Sequence, residues 1–363
     1  TPYAPCRGSC PAGVNVQGYT ALIAKGKFQE ALSLIRERMP FAGVCGRICH
    51  HPCEDNCNRK DIDEAVSVRN LKRFVADYEK ELLQKGEIDD VSAVGENEIE
   101  DVKRAEKVAV IGGGPGGLTC AHDLVKKGFQ VTVFEAADKL GGMMRTGIPD
   151  YRLPKDYLDY EIDLLIKDGI EIKTGWEYGK DFTTTDLKNE GYTSVFFSTG
   201  AQKAKQIPLE GSDAKGVMYG IPFLRQISKG EKPPIGTHIA VIGGGNVAVD
   251  VARSALRLGA KVTIVYRRTQ KEMPAHSWEI EEALEEGVEL RNSWSPAKVI
   301  QSEGKVTGLE VERCITIHKG DGKKSLEVDP EQRMTIEADT IIPATGQECD
   351  LSAVEDFIET EKG

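Results

Sequence analysis

Ten consecutive residues, Val108-Ala-Val-Ile-Gly-Gly-Gly-Pro-Gly-Gly117, constrain this chain more than any others. The apolar start reads as a buried parallel strand, and Gly112-x-Gly114-x-x-Gly117, enclosing Pro115 and Gly116, follows at once. From Leu118 to Lys127 the apolar residues take the 3.6-residue period of a helix. A strand that turns into a helix over glycines leaves backbone N–H groups at the positive end of a helix dipole. A dinucleotide pyrophosphate needs that setting. Eighteen residues after Gly117, the strand Val131-Thr-Val-Phe-Glu135 ends on an acid placed for a ribose 2′-OH. A glycine-rich turn in an ordinary sheet would explain the glycines but not the acid in register with them.

The arrangement recurs about 130 residues later. His238-Ile-Ala-Val-Ile is the strand, Gly243-x-Gly245-x-x-Ala248 the turn, with Asn246 and Val247 inside it, and Val249 to Leu258 the helix. The next strand, Lys261-Val-Thr-Ile-Val-Tyr266, carries no acid at its end; Arg267 and Arg268 follow instead. An acid would repel a 2′-phosphate, whereas two guanidiniums would bind it through charge-assisted forks. This reads as NADPH over NADH, against the plainer reading of an arginine pair on a solvated strand end.

Six of the nine cysteines lie in the first 57 residues, as Cys6, Cys10, Cys45, Cys49, Cys53 and Cys57. Thiolates in tight turns, with proline after Cys10, are ligands typical of iron–sulfur cubanes. Zinc is the metal alternative, although its usual Cys-x2-Cys knuckles are missing, and buried structural thiols are the non-metal one. His50 and His51 could ligate in principle, against the plainer reading of loop residues flanking the true ligands. Clustered cysteines in a chain with no secretory signal point to metal binding in a reducing cytoplasm. No stretch approaches the ~20 apolar residues of a membrane span. The net charge of −11 argues against a nucleic-acid surface.

Around these motifs the chain divides into four expected segments: 1–100, 101–205, 206–335 and 336–363. The first is a small helical unit, with short helices broken near Gly26, a longer one from Val68 to Leu82, and an acidic linker over about Gly86–Glu106. Gly141 and Gly142, in Leu140–Lys155, let the backbone pass close to a ligand. Tyr157–Lys167 reads as a helix. Val288–Val328 alternates like a small antiparallel sheet, with turns near Gly304 and Gly320–Gly322. Strands ending in Thr199-Gly200 and Thr345-Gly346 are expected to mark where the chain leaves and re-enters the first nucleotide domain. The fold class is α/β: two Rossmann-like domains, one inserted in the other, after an all-α segment.

Val44-Cys-Gly-Arg-Ile-Cys49, Gly141 to Lys155, Arg267-Arg-Thr and Glu272-Met-Pro-Ala275 resemble the pyridine-nucleotide-dependent flavoprotein family of the glutamate synthase small subunit. Similar modules occur in dihydropyrimidine dehydrogenase and in the large subunit of a bifurcating ferredoxin–NADP transhydrogenase. The resemblance covers almost the whole chain. It implies that the first turn binds FAD, the second NADPH, and the helical unit [4Fe–4S]. Gly142 and Arg145 would lie along the flavin, with Thr199, Gly200, Thr345 and Gly346 at the hinge strands. Cys10, Cys49 and Cys53 match ligands of one cluster. Cys6 and Cys57 match a second cluster whose first two cysteines have no counterpart here. Relatives use a glutamate or glutamine ligand at the place of Lys72, and a protonated lysine cannot serve, so Cys45 is the expected fourth ligand. One cluster is expected and two remain open. The Gly-Asp segment that closes the FAD domain is absent, so the second part of that domain is expected to be incomplete.

The resemblance implies an electron-transfer subunit that moves electrons between NADPH, FAD and iron–sulfur to or from a partner subunit. No acid–base residue is assigned. A disulfide reductase needs a Cys-x2-Cys beside the flavin, which Cys120, Cys314 and Cys349 do not provide. The alternatives are a non-catalytic wiring or scaffold subunit and the bifurcating subunit of a transhydrogenase.

Overall fold

The computed structural model describes residues 3–88, 104–318 and 324–354. Most of the acidic linker, the Gly320–Gly322 turn and the last residues of the expected fourth segment lie outside these. The chain divides into two compact units, one of Thr1–Arg145, Asp150–Gly200 and Ala353–Gly363, the other of Thr146–Pro149 and Ala201–Ser352.

The first unit opens with six helices: α1 (Pro5–Gly8), α2 (Val16–Ala24), α3 (Phe28–Arg36), α4 (Ala42–Ile48), α5 (Pro52–Asp55) and α6 (Val68–Lys85). Asn15 caps α2 by accepting the Gly18 N–H at 3.1 Å, and Gly86, at φ 68°, ends α6 in the left-handed conformation that glycine adopts without strain. Tyr19, Ala31, Leu32, Ile35, Val75 and Ala76 form the shared core. One charged pair is buried with it: Arg36 grips the Glu79 carboxylate through two bonds of 3.0 and 2.6 Å.

Next come β1 (Lys107–Ile111), α7 (Pro115–Lys126), β2 (Gln130–Glu135), α8 (Gly142–Thr146), α9 (Lys155–Ile166), β3 (Glu171–Thr174), α10 (Thr184–Asn189) and β4 (Tyr192–Phe197). The strands form a parallel sheet in the order β3-β2-β1-β4. Apolar residues at four consecutive positions of β1 are buried, as a strand covered on both faces requires. Helix α9 meets α4 through Glu161, only 1% exposed, whose carboxylate accepts the N–H groups of Gly43 and Val44 at 2.6 and 2.7 Å.

The second unit contains β5 (Lys203–Ala204), α11 (Gly220–Ser228), β6 (His238–Ile242), α12 (Asn246–Arg257), β7 (Lys261–Tyr266), α13 (Ser277–Glu285) and β8 (Glu289–Asn292). There follow β9 (Trp294–Ser302), β10 (Lys305–His318), β11 (Lys324–Glu337), β12 (Thr340–Pro343) and β13 (Gln347–Glu348). Its parallel sheet runs β12-β6-β7-β8, the same topology as the first, and β9–β11 form a separate antiparallel sheet. Leu309, Val311 and Ile336 of that sheet pack with Ala240, Ile242 and Val265.

Two boundaries differ from the sequence reading. Residues 289–292 pair in parallel with β7 rather than opening the antiparallel sheet. Thr340–Pro343 pair with β6, so the second unit runs on to Ser352 instead of ending at 335. The antiparallel sheet interrupts this unit before its fourth strand. A strand that looks like the start of a return therefore completes the domain already under way.

Candidate functional site

The two glycine turns are built alike. In the first, Gly112 has φ 108°, and a Cβ there would meet Ser198 O at 2.3 Å. A Cβ at Gly117 would meet Gly112 O at 1.9 Å. Gly114 is different: its nearest neighbour would be Gly142 Cα, at 3.8 Å. The chain needs glycine at 112 and 117 for its own packing, whereas the clearance at Gly114 fits close backbone approach to a pyrophosphate at the start of α7. Gly142 faces it, and Gly141 N–H donates to Gly113 O at 2.8 Å, holding the second glycine pair against the first. Pro115 and Gly116 open α7, with Gly116 beside Ser198 Oγ. Glu135 stands at the end of β2, its carboxylate accepting Gly113 N–H at 2.7 Å and Ala137 N–H at 2.8 Å. Thr199 and Gly200 continue from Ser198 past the turn. Arg145 is held by Leu140 O at 2.5 Å and by the Asp159 carboxylate.

In the second turn, a Cβ on Gly243 would meet Ala344 O at 2.5 Å, while one on Gly245 would meet nothing nearer than Pro274 Cγ at 3.9 Å. Asn246 and Val247 begin α12, and Ala248 is fully buried beneath the turn. The segment after β7 folds back over the turn: Ala275 N–H donates to Gly244 O at 3.0 Å, and His276 N–H to Asn246 Oδ1 at 3.2 Å. Tyr266 packs its ring against Gly244 and donates its hydroxyl to Glu272 O at 2.8 Å. Arg267 and Arg268 are exposed, and neither guanidinium makes a hydrogen bond or ion pair among the described residues. Thr345 and Gly346 follow β12 in this second unit, just beyond the Ala344 that flanks Gly243.

None of the nine cysteines forms a disulfide. Cys10, Cys49 and Cys53 line a cavity of about 130 Å³ with Val14, Tyr19, Met39 and Lys72. His51 takes a left-handed φ of 45°, directing its N–H to Cys49 Sγ at 3.3 Å. Burial pushes the Cys45 thiol up to about 11, against the pull of the Lys72 charge, with Glu161, Cys49 and Cys10 adding to the rise. Burial also pushes Cys53 up to about 11; Glu54, Cys49 and Cys10 reinforce it, and Lys72 opposes it. Cys45 and Cys53 thus each feel Cys10, Cys49 and Lys72. Burial raises the Tyr19 hydroxyl above its ordinary range, and Cys53, Cys10, Glu54 and Cys6 add to the rise. The Cys57 thiol is pulled down by the backbone N–H groups of Val66 and Arg59. Among the described residues no three His, Cys, Asp or Glu side chains converge on a single metal ion. Three thiols line this mainly apolar cavity, and a cubane with one ligand per iron takes a fourth from nearby.

Sequence reasoning missed Met39 and Tyr19 in the wall of this cavity and Glu161 as the anchor of α4. An acid within a helix whose neighbours are Leu158, Ile162 and Leu165 was the available signal for Glu161.

The fold and the paired turns define a two-dinucleotide oxidoreductase. Residues 106–362 match the family described as pyridine nucleotide-disulphide oxidoreductase, and the chain belongs to it. Residues 2–83 match dihydropyrimidine dehydrogenase domain II, 4Fe-4S cluster. FAD, NADP and a [4Fe–4S] cluster are the cofactors these matches indicate. The resemblance to glutamate synthase small subunits is borne out: the chain is 32% identical to the glutamate synthase [NADPH] small chain of Escherichia coli, over 94% of this chain and 73% of that one. It is 38% identical to the NADP(+)-dependent formate dehydrogenase subunit beta of Moorella thermoacetica, over 99% of this chain and 53% of that protein. The chain therefore spans about half the length of that relative. FprA of Mycobacterium tuberculosis in complex with NADPH superposes with a TM-score of 0.59 at 17% identity, over 67% of this chain and 71% of that one, a likeness of fold. No helix among the described residues is long and apolar enough to cross a membrane.

Proposed function

We propose that the chain is an NADPH-dependent electron-transfer part of a cytoplasmic hetero-oligomeric redox complex. FAD, when bound, exchanges electron pairs with NADPH and single electrons with iron–sulfur centres. The observation that carries the reading is the pairing of two like turns with unlike strand ends, Glu135 in one and Tyr266-Arg267-Arg268 in the other, in a chain that also surrounds a cavity with thiols. The first turn, with Gly112, Gly114, Gly117, Glu135, Gly141 and Gly142, holds FAD. The second, with Gly243, Gly245, Asn246 and Ala248, holds NADPH, and Arg267 and Arg268 take its 2′-phosphate. Cys10, Cys45, Cys49 and Cys53 ligate one cluster. The named subunits among the relatives support a partner that carries the substrate site.

The visible spectrum of the anaerobic chain tests this. Flavin bands bleached by NADPH are expected; an iron–sulfur shoulder alone would leave only a wiring subunit. Iron and sulfide of about four each per chain mark one cubane, and about eight mark two. Loss of the cluster in Cys45→Ser but not in Cys6→Ser supports the ligand set, and the reverse pattern overturns it.

A further inference from the structure

We propose that Lys72 is the resident counter-charge of the thiol-lined cavity, a positioning residue that raises the reduction potential of the cluster without ligating it. This rests on the reading of the cavity as the cluster site.

Lys72 lies one turn beyond Val68 and one before Val75 and Ala76, on the face of α6 that packs inward. The helix carries its ammonium into the protein with that apolar face, and the residue is only 6% exposed. There it lines the same cavity as Cys10, Cys49 and Cys53. Its Nζ donates to Met39 Sδ at 3.4 Å, and a thioether is a weak acceptor. Three acids, Glu79 of the same helix, Glu54 of α5 and Glu161 of α9, have other donors. Glu79 is gripped by Arg36, Glu161 accepts the Gly43 and Val44 N–H groups, and Glu54 accepts the Arg69 N–H at 2.7 Å. Arg69 also lines the wall but turns its guanidinium to Cys49 O, at 3.3 Å.

A buried ammonium served by a thioether is costly unless an anion balances it. Thiolates around a cluster are that anion. One-electron reduction, with NADPH as the ultimate donor, adds one negative charge, makes or breaks no bond and moves no proton. A fixed positive charge at the cavity wall therefore favours the reduced form. A protonated lysine has no lone pair to offer iron, so its contribution is electrostatic and not coordinative.

The test is an EPR-monitored redox titration of the anaerobically prepared chain carrying Lys72→Met or Lys72→Arg, with iron measured alongside. Lys72→Met should keep its iron and become harder to reduce by about tenfold in the equilibrium constant, a fall of about 59 mV for one electron. Lys72→Arg, which keeps the charge, should stay near the unaltered protein. Loss of iron in Lys72→Met but not in Lys72→Arg would also support the counter-charge role, because arginine keeps the positive charge that methionine lacks. An unchanged potential in an iron-replete Lys72→Met, or loss of iron in both variants, would overturn it. An unaltered chain without iron would overturn the cluster reading itself and this proposal with it.

Discussion

The two nucleotide turns share a backbone and differ in what closes the second strand. At the first, Glu135 reaches back to the Gly113 amide; at the second, the Tyr266 ring lies where a Cβ on Gly244 would sit, 2.4 Å away. One turn is steadied by a hydrogen bond that its amide donates to the acid, the other by a ring whose hydroxyl ties down the segment behind it. Strand, glycines and helix supply general affinity for a pyrophosphate. On the proposed function, discrimination between dinucleotides falls to the few residues after each second strand, where an acid stands in one case and a basic pair in the other.

The comparison breaks first at the two open glycines. Gly114→Val should abolish FAD binding and leave iron content and NADPH affinity near normal, whereas Gly245→Val should do the converse. Flavin absorbance, iron assay and nucleotide titration read the three separately. Full flavin occupancy in Gly114→Val would remove the first site. Next in size is the basic pair. Replacing both Arg267 and Arg268 with alanine should weaken NADPH by several kcal/mol at most, each charge-assisted contact being about 1.5–3 kcal/mol. NADH should be unaffected, and equal losses for both nucleotides would mean that the pair merely supports the fold.

The third glycine positions sharpen the contrast. A methyl group at Gly117 has a carbonyl oxygen in its place, so Gly117→Ala should cost about 2–3 kcal/mol on denaturant unfolding. Ala248 is already accommodated, and Ala248→Gly should cost only about 1 kcal/mol, as glycine does within a helix. Similar losses at both would show that the two positions tolerate a methyl group equally.

The smallest effect is one of pH. Hydrogen bonds from Arg253 hold the Glu286 carboxyl below its ordinary range, and Arg257 adds to this. A depressed native pKa contributes stability above the unfolded value, lost as pH falls through the native one. Glu286→Gln should therefore lower stability at neutral pH, by under about 1 kcal/mol for a largely exposed group, and the difference should vanish in acid. A difference that persists there would mean that the side chain acts by packing.

What the sequence shows well is what short-range chemistry dictates. Both turns, the missing acid at Tyr266 and the cysteine-rich helical segment can be read from spacing alone. Partner choice cannot. Ala338–Gly346 has the same pattern as the strand before Thr199-Gly200, and only the paired register with β6 shows which sheet it completes. Residues 289–292 are too short to declare whether they pair in parallel or antiparallel. Lys72 is visible as an unsuitable ligand, yet its burial depends on how α6 docks. Glu161 lies on a helix where acids ordinarily face water, and its burial is set by Gly43 and Val44, 118 and 117 residues away.

The Glu161 contact bears on how such a chain can be inherited. Its carboxylate belongs to the nucleotide-binding part, while the two amides it satisfies open the helix that carries Cys45. A recombination event that moved the cysteine-rich segment onto another host would strand two buried donors there and an uncompensated carboxylate here. The exchangeable unit is therefore larger than either motif. It extends at least from the cysteines through α9, and a chimera joined within that span should fail unless its new neighbour supplies an equivalent acid.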